Sequence, residues 1–154
     1  VIGGVNATPS TLARQAYPWH DGTVDSTRGP GAFLENPSMI YDTNTRTYLL
    51  FYSAGRWNTA NYVTGFGRCA TPTGPCVLDS RAPMLMRGNG RTGVGGLTAY
   101  RFPGSATMRV AFASWQQGRE NQVGPAGIYK RQTHWMTIRV TATSNTASQS
   151  VSRA

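Results

Sequence analysis

Gly31 to Cys76 reads GAFLENPSMIYDTNTRTYLLFYSAGRWNTANYVTGFGRCATPTGPC. PSMIYD and TYLLFYSAGRW are short runs rich in β-branched and aromatic residues, separated by Thr43-Asn44-Thr45, a cluster that favours a turn. A third strand is expected from Tyr62 to Thr71. CATPTGPC follows, with two prolines and a glycine between Cys69 and Cys76, so the chain can turn back and bring the sulfurs together. A Cys69–Cys76 disulfide is the expectation, and it implies a compartment outside a reducing cytosol. A pair of free buried thiols is the alternative. No second ligand pair accompanies the two cysteines, so the spacing is not a zinc pattern.

Working outward, a second unit looks like the first. GGLTAYRF, a turn near Pro103-Gly104-Ser105 and MRVAFASWQQGR repeat the strand-turn-strand order. Ser38 and Thr98 hold similar places, sixty residues apart, a spacing that suits one four-stranded propeller blade with its loops. Further strands are expected at Ala126 to Lys130 and at Met136 to Thr143. Residues 1–30 read as a partial blade and connecting loop, 31–95 as one blade, 96–143 as a last blade, and 144–154 as a polar, frayed tail. Gly 18 and Pro 9 in 154 residues suit short strands and tight turns, and no stretch has helical periodicity. No apolar run is long enough to span a membrane as a helix, and no secretory signal is visible. The fold class expected is all-β.

One carboxylate opens the decisive stretch. Glu35 lies between Leu34 and Pro37, which suggests partial desolvation of its carboxyl, the condition that keeps a proton available for donation. On residue chemistry alone the competing reading is a strand-edge carboxylate paired with an Arg. A resemblance to a known family, running from Trp19 through Arg139, favours the first reading. Glu35, Pro37 and Tyr48-Leu49-Leu50-Phe51-Tyr52-Ser53 resemble the fourth-blade region of the family 43 glycoside hydrolases, five-bladed β-propellers acting on arabinose- and xylose-containing glycans. That resemblance implies a partial five-bladed propeller of about two blades plus part of a third, the C-terminal portion of a longer domain. It assigns the general acid to Glu35. It implies a plant-type polysaccharide or oligosaccharide as substrate, the remaining N-terminal blades as a partner, and a secreted or extracytoplasmic protein.

Glycoside hydrolysis needs a second carboxyl group. Neither the first-blade nor the intermediate-blade Asp motif of the family is present. Asp21 and Asp25 read as turn residues, Asp42 as a hairpin residue bonding backbone amides, and Asp79 and Glu120 as loop residues, so none takes the base role. Trp19 is a candidate platform for a sugar ring, or else a core aromatic. Tyr52, Ser53 and Trp57 follow the strand whose end approaches the family's central pocket, with ordinary strand packing as the alternative. Asn58 and Asn61 are weaker candidates for hydroxyl recognition. No cofactor is expected. The resemblance allows a central calcium, but the family's His at that point is replaced here by Gly96-Leu97. His20 and His134 lack metal-ligand partners at useful spacing, so no metal ligand is assigned.

The net charge is +9, and 14 of the 15 basic residues are Arg. They are scattered singly, as on a solvated surface, which weighs against a nucleic-acid partner. Three functions remain in order of support: a glycosidase, a non-catalytic sugar-binding propeller fragment, and a basic nucleic-acid-binding β-domain.

Overall fold

The computed structural model describes residues 34–78, 83–140 and 147–150. Trp19, His20, Asp21, Asp25, Asp79 and the expected partial blade at 1–30 lie outside these residues. The described chain is all-β and has no helix. It forms two four-stranded antiparallel sheets and a small two-stranded ribbon.

The first sheet runs in sequence order through β1 (Leu34–Asp42), β2 (Thr47–Ala54), β3 (Val63–Cys69) and β4 (Cys76–Leu78). Its first hairpin closes where expected. Asp42 pairs with Thr47, and the Asp42 carboxylate accepts from the Asn44 N–H at 3.3 Å and the Thr45 hydroxyl at 2.6 Å. β2 is central and buried on both faces, which explains its unbroken apolar run. The β3–β4 hairpin places Cys69 opposite Cys76, and the two form a disulfide.

The second sheet contains β5 (Arg91–Tyr100), β6 (Met108–Gln116), β9 (Gln132–Val140) and β10 (Ala147–Ser150), in the order β10-β9-β6-β5. Here the expected strand placement needs correction. Ala126–Lys130 does not supply the third strand. β7 (Val123–Gly124) and β8 (Gly127–Ile128) instead make a separate ribbon around a turn containing Pro125 and Gly127, whose φ is +104°. β9 takes the third place because its alternation puts Met136, Ile138 and Val140 into the core. Part of the expected frayed tail also pairs: Ala147–Ser150 adds to the free edge of β9. Backbone N–H and C=O groups drive that pairing and need no apolar side chains.

The two sheets pack face to face, as blades do. Leu49, Phe51 and Phe66 of the first meet Leu97, Met108, Val110, Phe112, Met136 and Ile138 of the second in one core. Residues 83–90 connect the sheets along β3, where Leu85 bridges to Thr64 and is itself buried. At the hairpin end, fully buried Asp42 forms an ion pair with Arg101 across the interface.

The sixty-residue repeat is also present in the register. In β1 against β2, Glu35 faces Ser53 and Ser38 faces Phe51, so one extra residue bulges out. In β5 against β6, Gly95 faces Ala113 and Thr98 faces Ala111, the same bulge sixty residues on. The residue after each leading position has positive φ, Asn36 at +51° and Gly96 at +68°.

Candidate active site

The β1 bulge lies at the end of the sheet opposite the Asp42 hairpin. It interrupts the pleat at Asn36 and leaves Glu35 exposed. The partial desolvation expected from Leu34 and Pro37 is therefore not found, since the residue is exposed at the bulge. The group that meets it is Tyr62, the residue just before β3. The Tyr62 hydroxyl donates to Glu35 Oε1 at 2.6 Å and accepts from Asn36 Nδ2 at 3.0 Å. The described partner of Glu35 is thus a phenol rather than the Arg considered from sequence.

Tyr62 is only 2% exposed. Its ring occupies the space over Gly95, where a Cβ would sit 2.2 Å from Tyr62 Cε1. The Arg131 guanidinium lies 4.9 Å from the Tyr62 ring centroid, a cation–π arrangement. Arg131 is held in turn by three elements. It donates to the Trp57 carbonyl at 2.7 Å, to the Ala113 carbonyl at 2.7 Å and, at the limit of bonding, to the Gly95 carbonyl at 3.5 Å. Burial pushes the Tyr62 phenol up, and the hydrogen bond to Glu35 adds to this, against opposing pulls from Ser53 and Asn36. Tyr62 therefore keeps its proton and acts as a donor. Burial lowers Arg131, while Tyr62 and Glu35 oppose that shift, and a guanidinium remains charged in any case.

The other candidates divide by strand alternation. Ser53 faces this site: its hydroxyl accepts from the Gly96 N–H at 2.8 Å. Tyr52 lies on the opposite face of β2, in a second core cluster with Leu50, Val63 and Leu78. Trp57 is 52% exposed in the β2–β3 loop, stacked on buried Trp115 with ring centroids 6.2 Å apart. Trp115 Nε1 donates to the Trp57 carbonyl at 2.8 Å, so this exposed indole stands on a fixed backbone. Asn58 and Asn61 belong to the same loop. Glu120 accepts from the Thr92 hydroxyl and from the Gly118 N–H at 3.2 Å. The Thr92 bond holds its carboxyl below the usual carboxylate range.

Among the described residues, no group of three or more His, Cys, Asp or Glu is placed to hold a metal ion. At Gly96-Leu97 the nearest arranged groups are the Gly96 N–H and the Ser53 hydroxyl, which do not fit a His-held calcium.

Tyr62 and Arg131 are the site residues that sequence reading missed. A signal existed in the glycine pair of GVGGLTAY, which marks a close approach to the backbone at Gly95. It does not name the ring that approaches.

Glu35, Tyr62, Arg131 and the Trp57 carbonyl thus form one linked chain of contacts at the end of the sheets opposite the Asp42 hairpin. No protein-family model matches the sequence, and no curated protein matches it. Solved structures do match the fold. An endo-1,4-β-xylanase from Bacteroides thetaiotaomicron VPI-5482 aligns with a TM-score of 0.60 at 21% identity, over 88% of this chain and 40% of that one. A thermostable family 43 glycoside hydrolase aligns at 0.59 and 19%, over 78% and 37%. An endo-1,5-α-L-arabinanase from Thermotoga petrophila RKU-1 aligns at 0.58 and 19%, over 71% and 29%. The fold is that of part of a propeller of the family 43 glycoside hydrolase type, and the chain spans less than half the length of each of these enzymes.

Proposed function

We propose that this chain provides the proton-donating side of a glycosidase site for arabinose- or xylose-containing glycans. Glu35 is the general acid. The observation that carries the reading is the placement of Glu35: an exposed carboxyl at a bulge, held by one oxygen through Tyr62, with the exposed face of Trp57 presented from the adjoining loop. In the reaction, the Glu35 proton passes to the glycosidic oxygen as the carbon–oxygen bond breaks. Water adds to the anomeric carbon and loses its proton to a second carboxylate. Neither other described acid suits that second role. Asp42 is buried in its ion pair at the far end of β1, about 20 Å of strand away. Glu120 is engaged by Thr92 and Gly118. The reading therefore takes the base from outside the described residues, and Trp57 offers an aromatic face for a sugar ring.

The test compares Glu35→Gln with the parent in the whole protein on aryl xylosides and arabinofuranosides. Gln keeps the shape and removes the proton. Substrates with poor leaving groups are expected to slow about 100-fold or more, and those with good leaving groups much less. Equal losses on both, or no loss, would refute the acid role. Sugar binding without turnover in the parent would favour the non-catalytic alternative.

A further inference from the structure

We propose that Tyr62 is a positioning residue for the proton donor, fixing which oxygen of Glu35 carries the transferable proton. The inference rests on the acid role of Glu35 and extends it to residues that the sequence reading did not single out. A carboxylic acid has two oxygens, and only one can face the leaving group. The Tyr62 hydroxyl occupies Oε1 at 2.6 Å. The direction of that bond is set by Asn36: its Nδ2 group can only donate, so it uses a lone pair of the phenol oxygen and leaves the phenol proton for Glu35. A proton on Oε1 would meet this donor head-on. The acid proton therefore belongs on Oε2, which has no hydrogen-bond partner among the described residues.

The phenol must not move for this to work, and its surroundings hold it. The ring is buried, fills the space above Gly95, and lies against a guanidinium fastened to the Trp57 and Ala113 carbonyls. Arg131 thus links the loop bearing Trp57 to the phenol that orients Glu35. The raised Tyr62 ionisation agrees with a hydroxyl that remains a donor throughout the working range.

The experiment uses Tyr62→Phe, which keeps the ring and removes the hydroxyl, alongside Asn36→Ala and Glu35→Gln, all in the whole protein. Thermal melts first confirm that each variant is folded. For Tyr62→Phe, kcat/KM on poor-leaving-group aryl glycosides is expected to fall on the order of tenfold, with little change on good leaving groups and in KM. Asn36→Ala should show the same pattern more weakly. A loss in Tyr62→Phe that is uniform across leaving groups, or one that appears in KM rather than in kcat, would overturn the positioning role while leaving Glu35 as the acid. A flat leaving-group response in Glu35→Gln would instead overturn the acid assignment, and the role of Tyr62 with it.

Discussion

Gly95→Ala adds one methyl group at the point where the two sheets share a side chain. An ideal Cβ there would lie 2.2, 2.6 and 2.9 Å from three carbons of the Tyr62 ring. Carbon atoms rest at about 3.5–4.0 Å, so the ring would have to retreat by more than about 1 Å. It has little freedom to do so, being 2% exposed and held against Arg131. Overpacking of this kind costs about 1–3 kcal/mol. Displacing the hydroxyl from Glu35 adds a share of a charged hydrogen bond, reduced because Glu35 is exposed, so the expected total is about 2–4 kcal/mol. With a urea slope of about 2 kcal/mol per molar, the unfolding midpoint should drop by about 1–2 M. Gly96→Ala separates steric from backbone effects. Nothing lies within 4 Å of its added Cβ, but its φ is +68°, so it should cost about 1–2 kcal/mol without moving Tyr62. In a Tyr62→Ala background the Gly95→Ala penalty should shrink to about 0.5 kcal/mol or less. A penalty of the same size in both backgrounds would refute the argument.

Two further predictions follow from other parts of the interface. Arg101→Ala leaves fully buried Asp42 without its cation and should cost about 3–5 kcal/mol in urea unfolding, most of it recovered when Asp42 is also replaced by an apolar residue; a loss below about 1 kcal/mol would count against a buried pair. His134 Nε2 stands 2.9 Å from Arg91 Nη1, and a guanidinium can only donate, so the imidazole must be neutral to accept. Burial, then the charge of Arg91, holds its pKa below the ordinary 6.5; the Phe112 ring lies 5.6 Å from the imidazole, and Gln132 also accepts from Arg91. The stability it contributes is complete above the unfolded value and declines as pH falls below it. Melting temperature should therefore decrease from about pH 7 toward pH 5, and His134→Gln should flatten that decrease; parallel slopes would count against it.

The elements most legible in the sequence are those set by local chemistry. The β1–β2 turn follows from Asp42-Thr43-Asn44-Thr45, where the Asp42 carboxylate accepts from the Asn44 N–H and the Thr45 hydroxyl, and the Cys69–Cys76 bridge follows from a spacer that reverses direction. β9 was harder to place. Tyr129 and Ile128 look as strand-like as Trp135 and Ile138, and what separates them is the core face awaiting Met136, Ile138 and Val140. The site was half legible. Glu35 and Ser53 belong to an ordered strand pair, and Trp57 to a loop rich in polar residues. Tyr62 lies between a loop and a strand, where no periodicity marks it. Arg131 is one of 14 scattered Arg residues, and its role comes from carbonyls on three separate elements, an arrangement only tertiary structure creates.

The repeat explains why those pieces converge. Glu35, Asn36 and Ser53 in the first sheet correspond, sixty residues on, to Gly95, Gly96 and Ala113 in the second. Both copies bulge at the same place, so both backbones bend alike. In the first copy the bulge presents a carboxyl. In the second it presents no side chain at Gly95, and the Tyr62 ring enters that space. Ala113, where the first copy has Ser53, offers its carbonyl to Arg131. The first copy thus carries the proposed proton donor, while the second supplies the room and the anchor for the phenol that bonds it. A side chain at position 95 would leave the sequence around Glu35 unchanged and still disturb the geometry of its carboxyl. The glycine belongs to the site for that reason, although it has no functional group to contribute.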